Sequence, residues 1–468
     1  MYQELLTRAD LEAIHQTSAR ILANIGVTFP SEAALDHFRR HGMRVDGIRV
    51  YLSESQLFEA LRTVPRQFTI RARNPQRDVV VGGGRPVFAP GYGAPFLVDP
   101  DSGKRLPTME DYTNLVKLAH VLPNQDISGF LLVEPGDVPA QTAPLRMLHA
   151  HMTLSDKVFI GSAAGQEGAR HTMAMAGILF GDKIGQEPVT LGLINSLTPL
   201  GYSAEMLGAL MAYASLRQPV IIAALAMAGS TAPVTMAGML ALQNAELLAG
   251  VVLTQLINPG TPVLYGSTST NIDMKTGALC IGSPELAQMI VAHAQLARFY
   301  GLPCRSGGAL TDASYPDAQA SSESMMALLT TVDSGVDFVL HSAGILSAYL
   351  AFSFEKFVLD DEMCGAVRRL RQGFSVTPET LAYDVVAKVG PGGNYLMEDH
   401  TLANCRKVFW MPSVADRGSL DAWQRGGRRD AVSRARRRWQ RLVADYREPE
   451  LDTVTRRQLD GYLEQNLG

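Results

Sequence analysis

The chain has 468 residues, 46% hydrophobic and 19% charged, with a formal net charge of −4. That length and composition support a large buried core and exclude a disordered or fibrous chain, and the slight acidic excess excludes bulk affinity for nucleic acid. Cys280, Cys304, Cys364 and Cys405 stand far apart without a CxxC pair, which argues for reduced thiols over a disulfide framework or zinc knuckle.

At the N-terminus, Arg8, Asp10 and Glu12 interrupt the sequence before any apolar leader forms, so a soluble cytoplasmic protein is expected. Residues 11–25 and 54–61 are amphipathic and precede β-rich stretches at 68–73 and 79–81. The glycines at 82–84 read as a hairpin turn, since neither GxxxxGK[ST] nor a strand–glycine–helix arrangement surrounds them. Residues 1–110 are therefore expected to form an N-terminal α+β region.

Residues 111–376 carry a repeat. Ile127, Val158, Val189 and Val220 each open a short apolar run, 31 residues apart, and similar runs begin at Val263, Cys304 and Phe338. One βαβ step takes roughly 30 residues, and parallel strands covered on both faces read as continuous apolar runs. Seven such runs predict an α/β fold, a TIM (β/α)8 barrel. The intervening segments carry helix signals: Ser283-Pro284-Glu285 supplies a cap, a proline at the first helical position and an acid at the positive end of the dipole, and Gly301 ends that helix. The apolar stretch 232–257 has the length of a membrane span, but Gln243, Asn244, Glu246 and Gln255 interrupt it, so it reads as a packed barrel helix.

Residues 377–468 predict a helical C-terminal region with a loop at Pro391-Gly392-Gly393. Its basic run Arg434, Arg436, Arg437 and Arg438 reads as a solvated helix face, an acidic protein partner being the other reading.

In such a barrel, chemistry belongs at the C-terminal ends of the strands. Those ends are poor in ionisable groups and rich in small residues and aromatics, among them Tyr92, Phe96, Tyr202, Tyr265, Tyr349, Phe352 and Phe354. Glycine-lined walls admit a large flat group close to the backbone, and aromatic faces attract a cation, a quaternary ammonium above all. His341 follows Phe338-Val339-Leu340 at a strand end and precedes an open Ser342-Ala343-Gly344 loop, which favours a site role. Asp312 closes the Gly307–Asp312 loop and reads as a site member, whereas Asp317 reads as a helix cap. HExxH and EF-hand patterns are missing, and no metal site is expected.

The segments Ala228-Gly229-Ser230-Thr231-Ala232-Pro233, Asn258-Pro259-Gly260-Thr261-Pro262, Gly282-Ser283-Pro284-Glu285 and His341-Ser342-Ala343-Gly344, with Phe354-Glu355-Lys356, closely resemble the trimethylamine methyltransferase family over most of the chain. The resemblance implies a TIM barrel that moves a methyl group from an amine to the Co(I) of a corrinoid, usually held on a separate small protein. The family's archetype carries pyrrolysine, which this chain lacks, and members without it act on quaternary amines such as glycine betaine, carnitine or proline betaine. The resemblance then suggests Tyr92, Phe96, Tyr265 and Phe352 as an aromatic box, with His341 and Asp312 as catalytic or orienting groups and Glu323 beside the substrate. The competing readings are a TIM-barrel lyase or hydrolase using Asp312, Glu323 and His341, and a non-catalytic betaine-binding protein. A homo-oligomer is expected from the long apolar helices.

Overall fold

The computed structural model describes residues 2–467. Its centre is built from eight short parallel segments: β1 (Val87–Phe88), β2 (Ile127–Gly129), β3 (Val158–Phe159), β4 (Gly192–Asn195), β5 (Val220–Ala224), β6 (Val263–Ser267), β7 (Cys304–Arg305) and β8 (Phe338–Val339). Six of them pair in the order β4-β5-β6-β7-β8-β1, and β2 pairs with β3. The parallel bridge Ile160↔Leu191 joins β3 to the run leading into β4, and the Asp126 N–H donates to the Phe88 carbonyl at 2.8 Å between β1 and β2. One helix follows each segment, from Met109–Val121 after β1 to Phe354–Gln372 after β8. The seven expected runs are all present. The eighth, β1, lies inside residues 1–110 and pairs with Phe338–Val339. The glycines at 82–84 do not close a hairpin; Phe68–Ile70 pairs with Val79–Val81 around a turn at 71–78, and the glycines lead from it to β1.

Local chemistry explains the helix ends. The Ser283 hydroxyl accepts from the Leu286 N–H at 3.2 Å, Gly301 ends the same helix in a left-handed conformation, and Asp317 caps Ala318–Asp333. The helix Met236–Ile257 is long and apolar enough to span a membrane by length and composition, yet most of it is buried. It is apolar on all sides because it is covered on both: β5 and β6 lie beneath it, and Arg8–Asn24 packs across its outer face. There Asn244 Nδ2 donates to Ser18 Oγ at 2.8 Å and Ser18 Oγ to the Ala241 carbonyl at 2.9 Å.

The C-terminal helices fold back onto this body. In Ala431–Ala444, Trp439 stacks on Phe354 at 4.6 Å and its indole N–H reaches Glu355 at 2.9 Å. Arg436 pairs with Asp101, and Arg434 donates to the Val414 carbonyl, so part of the basic run is satisfied within the chain. Thr453–Gln465 is tied to the helices Ala143–Leu154 and Gly165–Phe180 by His149 with Asp460 and His171 with Tyr462.

Two core histidines set an acid limit. Burial lowers His151 to about 4 and His293 to about 3, against an ordinary 6.5. A group whose folded pKa lies below its unfolded one binds protons mainly when unfolded, so stability is held above about pH 6.5 and lost as pH falls towards 4. Buried acids with raised values, such as Glu246 and Asp360, act in the opposite sense, so the histidine part must be isolated by substitution. His151→Gln is expected to lower the thermal midpoint at pH 7.5 but to reduce the further loss between pH 6.5 and 4.5 by about 2–5 °C, read by calorimetry. An unchanged acid slope would contradict this.

Candidate active site

Strand register determines which side chains face inward at the C-terminal ends. Tyr265 of β6 points to the helix layer, where its hydroxyl donates to Asn244 Oδ1 at 2.7 Å and its ring stacks on His293 at 4.5 Å. The next residue, Gly266, therefore faces the interior, and with it its register partner Arg305 on β7. Arg305 is 2% exposed, and among the described residues no carboxylate pairs with it. Its Nε finds no hydrogen-bond partner. Burial lowers its pKa to about 10, which still leaves it charged at neutral pH. A buried, unpaired guanidinium is destabilising in isolation, and here it stands within electrostatic reach of His341 and Tyr349.

His341 lies just beyond β8 with a left-handed φ of 69°. The Tyr92 N–H donates to its Nδ1 at 3.2 Å, which places the imidazole proton on Nε2. Burial, reinforced by Arg305, holds its pKa well below the ordinary value, so the ring is neutral. Tyr349, also at positive φ, sets its ring 4.7 Å from that of His341. Its buried hydroxyl stands beside Thr268 without meeting a partner in hydrogen-bonding geometry. Tyr92 is partly exposed; it meets His341 through its backbone, and Glu134 stands within electrostatic reach of its side chain.

The loop bearing His341 and Tyr349 is strained: His341, Ser347, Ala348 and Tyr349 all have positive φ, at roughly 1–3 kcal/mol each. Its supports are specific. Buried Lys356 donates to Asp360 at 2.6 Å, to Ser324 at 2.9 Å and to the Ala309 carbonyl at 3.2 Å. The same Asp360 oxygen accepts from the Gly344 N–H at 2.8 Å. The Ala309 N–H donates to the His341 carbonyl at 3.0 Å.

The carboxylates named from sequence hold loops. Asp312 accepts from the Ile281 N–H at 2.7 Å, and burial raises its pKa. Glu323 accepts from the Thr311 hydroxyl at 2.6 Å, the Asp312 N–H at 2.9 Å and Gln319 at 2.9 Å. Gly282 lies so close that an added Cβ would stand 2.2 Å from the Glu323 carboxylate. Asp312 remains within electrostatic reach of Tyr349, while Glu323 works through the loop.

The four-ring box expected from sequence is not assembled. Tyr265 is in the helix layer; Phe352 is fully buried against Phe357 and the backbones of Gly91 and Gly344. Phe96 already carries a cation, the Lys104 ammonium 3.6 Å from its ring centre, and lines a separate cavity of about 380 Å³ with Tyr315 and Leu350. The side chains that do come together are His341, Tyr349 and Arg305, with Tyr92 joined to His341 by its backbone N–H. Arg305 was missed by sequence reasoning, although a lone arginine closing an apolar strand run is itself a signal. Exposed Leu197, Leu225, Val234, Met274 and Leu350 form an apolar rim on the loops above.

Comparison with known proteins agrees with this architecture. The sequence model of the trimethylamine methyltransferase (MTTB) family matches residues 1–467. The chain is similar to the glycine betaine methyltransferase of Desulfitobacterium hafniense (strain Y51), 48% identical over 98% of this chain and 96% of that protein. It is also similar to the proline betaine:corrinoid methyltransferase of Eubacterium limosum, 35% identical over 99% and 97%. In structure it is similar to the monomethylamine methyltransferase MtmB of Methanosarcina barkeri, with a TM-score of 0.51 over 92% of each chain at 13% identity, a likeness of fold. The chain belongs to the trimethylamine methyltransferase family, and it is an amine methyltransferase.

Gly308 tests how the loops hold His341. Its φ is +135°, and an added Cβ would stand 2.4 Å from the His341 carbonyl oxygen. Gly308→Ala is expected to cost at least about 2 kcal/mol in denaturant unfolding, whereas Gly84→Ala, at φ +77° in open space, is expected to cost about 1 kcal/mol. Equal losses would show that the contact has no effect.

Proposed function

We propose that the eight parallel segments close as a (β/α)8 barrel whose mouth transfers a methyl group from a betaine, glycine betaine first, to the Co(I) of a corrinoid carried on a separate protein. The observation that carries this reading is Arg305: a buried cation without a protein counter-ion beside aromatic rings suits a substrate that brings its own carboxylate together with a quaternary ammonium. The relatives at 48% and 35% identity are named for betaines, which supports the same choice. The apolar rim suits an apolar, flat partner surface over the mouth.

The corrinoid, when docked, supplies the nucleophile and takes the methyl group. Arg305 binds the carboxylate with a charge-assisted hydrogen bond. The rings of Tyr92 and Tyr349 flank the ammonium, and His341, held neutral by burial, orients the substrate without repelling it. The substrate nitrogen leaves as a neutral tertiary amine, so no acid has to protonate it. Asp312 and Glu323 meet that requirement by serving the loops through their hydrogen bonds to Ile281, Thr311 and Asp312. Positioning is therefore the protein's main contribution. The need for Co(I) fits a reducing cytoplasm, as do four unpaired cysteines.

The test incubates the protein with cob(I)alamin and glycine betaine, proline betaine, carnitine or choline, following methylcobalamin by absorbance. Turnover with a betaine is expected; binding without turnover would favour a non-catalytic binder, and hydrolytic or elimination products would favour a lyase or hydrolase. Arg305→Met is expected to lower kcat/KM for glycine betaine by about 100-fold or more while leaving unfolding stability equal or higher, since an unpaired buried charge is removed. A loss of stability with unchanged betaine turnover would refute the role given to Arg305.

A further inference from the structure

A cavity of about 590 Å³ lies at the pole opposite the mouth, where Asn124 and Asp337 precede β2 and β8. Four arginines line it, Arg85, Arg368, Arg369 and Arg371, against one carboxylate among the described lining residues, Asp337. In a chain with a formal net charge of −4, that is a local excess of the opposite sign. Two aromatic side chains, Tyr2 and Trp410, share the wall.

The carboxylates within reach do not balance the arginines. Asp126 pairs with Arg368 and stands 4.0 Å from Arg85, so one charge serves two, and Asp333 meets Arg371 at 3.4 Å. Arg369 has neutral partners, Gln372 at 3.1 Å and the carbonyls of Gly373 at 3.3 Å and Val408 at 2.7 Å. Asp337 accepts from the Cys304 N–H at 2.8 Å, and burial raises its pKa, which weakens it as a counter-ion. A place in the last turn of Phe354–Gln372 accounts for Arg369 and Arg371, because cations suit the negative end of a helix. It does not account for Arg85, whose side chain is 75% exposed, or for the buried Arg368 Nε, which meets no hydrogen-bond partner among the described residues. The chain around Trp410 is pinned on both sides: Arg369 holds the Val408 carbonyl before it, and Glu362 accepts from the Ser413 hydroxyl at 2.9 Å and the Ala415 N–H at 2.8 Å after it.

We propose that this cavity binds a nucleoside polyphosphate, with its phosphates on the arginines and its base against Trp410. Guanidinium forks hold phosphate oxygens through paired, charge-assisted hydrogen bonds, and any base can stack on an aromatic face. Inorganic phosphate would satisfy the arginines but leave both rings and most of the volume unused. The 590 Å³ falls instead in the range of small-molecule and cofactor sites. No residue of the mouth takes part, so the site stands independently of the betaine reaction.

The test is isothermal titration calorimetry of the full chain with ADP, pyrophosphate and adenosine. ADP is expected to bind with a Kd of about 100 μM or tighter, and pyrophosphate and adenosine each at least about tenfold more weakly. Arg85→Met and Arg369→Met are each expected to weaken ADP binding about tenfold, and Trp410→Ala by about the same factor. Arg305→Met, in the mouth, is expected to leave it unchanged. Arg85 is the position least coupled to folding, and circular dichroism checks the fold of every variant. Absence of ADP binding, equal affinity for pyrophosphate or adenosine, wild-type affinity in Arg85→Met and Trp410→Ala, or loss of binding in Arg305→Met would each overturn the proposal.

Discussion

The Lys356–Asp360 pair ties together two loops, the one that carries Arg305's neighbours His341 and Tyr349 and the one that holds the Gly307–Asp312 segment. One ammonium reaches the Ala309 carbonyl, and one carboxylate oxygen holds the Gly344 N–H, so the loop after β7 and the loop after β8 are tied to the same turn of one helix. Burial pushes the Asp360 carboxyl up, against the pull of its lysine. Such a pair adds little net stability compared with apolar side chains, but breaking it leaves a buried charge alone. Its effect is geometric: it fixes Gly344 within the loop whose four non-glycine residues His341, Ser347, Ala348 and Tyr349 have positive φ. The strain is concentrated where the side chains of His341 and Tyr349 have to be aimed.

The architecture was largely legible because its period is covalent: a 31-residue step is what one strand and one crossover helix need. β1 escaped because two paired residues between a glycine run and Pro90 leave no apolar run to detect. The site was legible in part. His341 and Tyr92, named from their places at strand ends, meet through a backbone hydrogen bond, whereas Tyr265 packs in the helix layer and Phe352 against Phe357, away from them. In a parallel sheet covered on both faces the sequence shows no inside–outside alternation, so nothing local tells that Gly266 faces in and Tyr265 out. Phe96 was misjudged for a different reason: the lysine on its ring comes from the facing strand, where Leu97 pairs with Arg105.

Neutral His341 and charged Arg305 have one cause. In a shared apolar environment the group with the lower intrinsic pKa gives up its proton first, and a cation beside it deepens the shift. Burial and Arg305 together hold His341 neutral, whereas guanidinium has enough basicity to stay charged at about 10. The site therefore carries one fixed positive charge, and its position is set by strand register, not by a flexible loop.

On the function proposed above, that single charge accounts for selectivity among amines. A simple tetraalkylammonium would meet the rings of Tyr92 and Tyr349 but also the field of an uncompensated guanidinium, and a simple carboxylate would meet Arg305 but nothing for its other end. A zwitterion neutralises Arg305 first, after which the mouth presents only rings and a neutral imidazole to the ammonium. The order matters because at low dielectric the repulsion between two cations grows several-fold over its value in water. Discrimination then comes from a penalty on the wrong ligand as much as from contacts to the right one, and that penalty is the energy stored in leaving Arg305 without a partner in the folded protein.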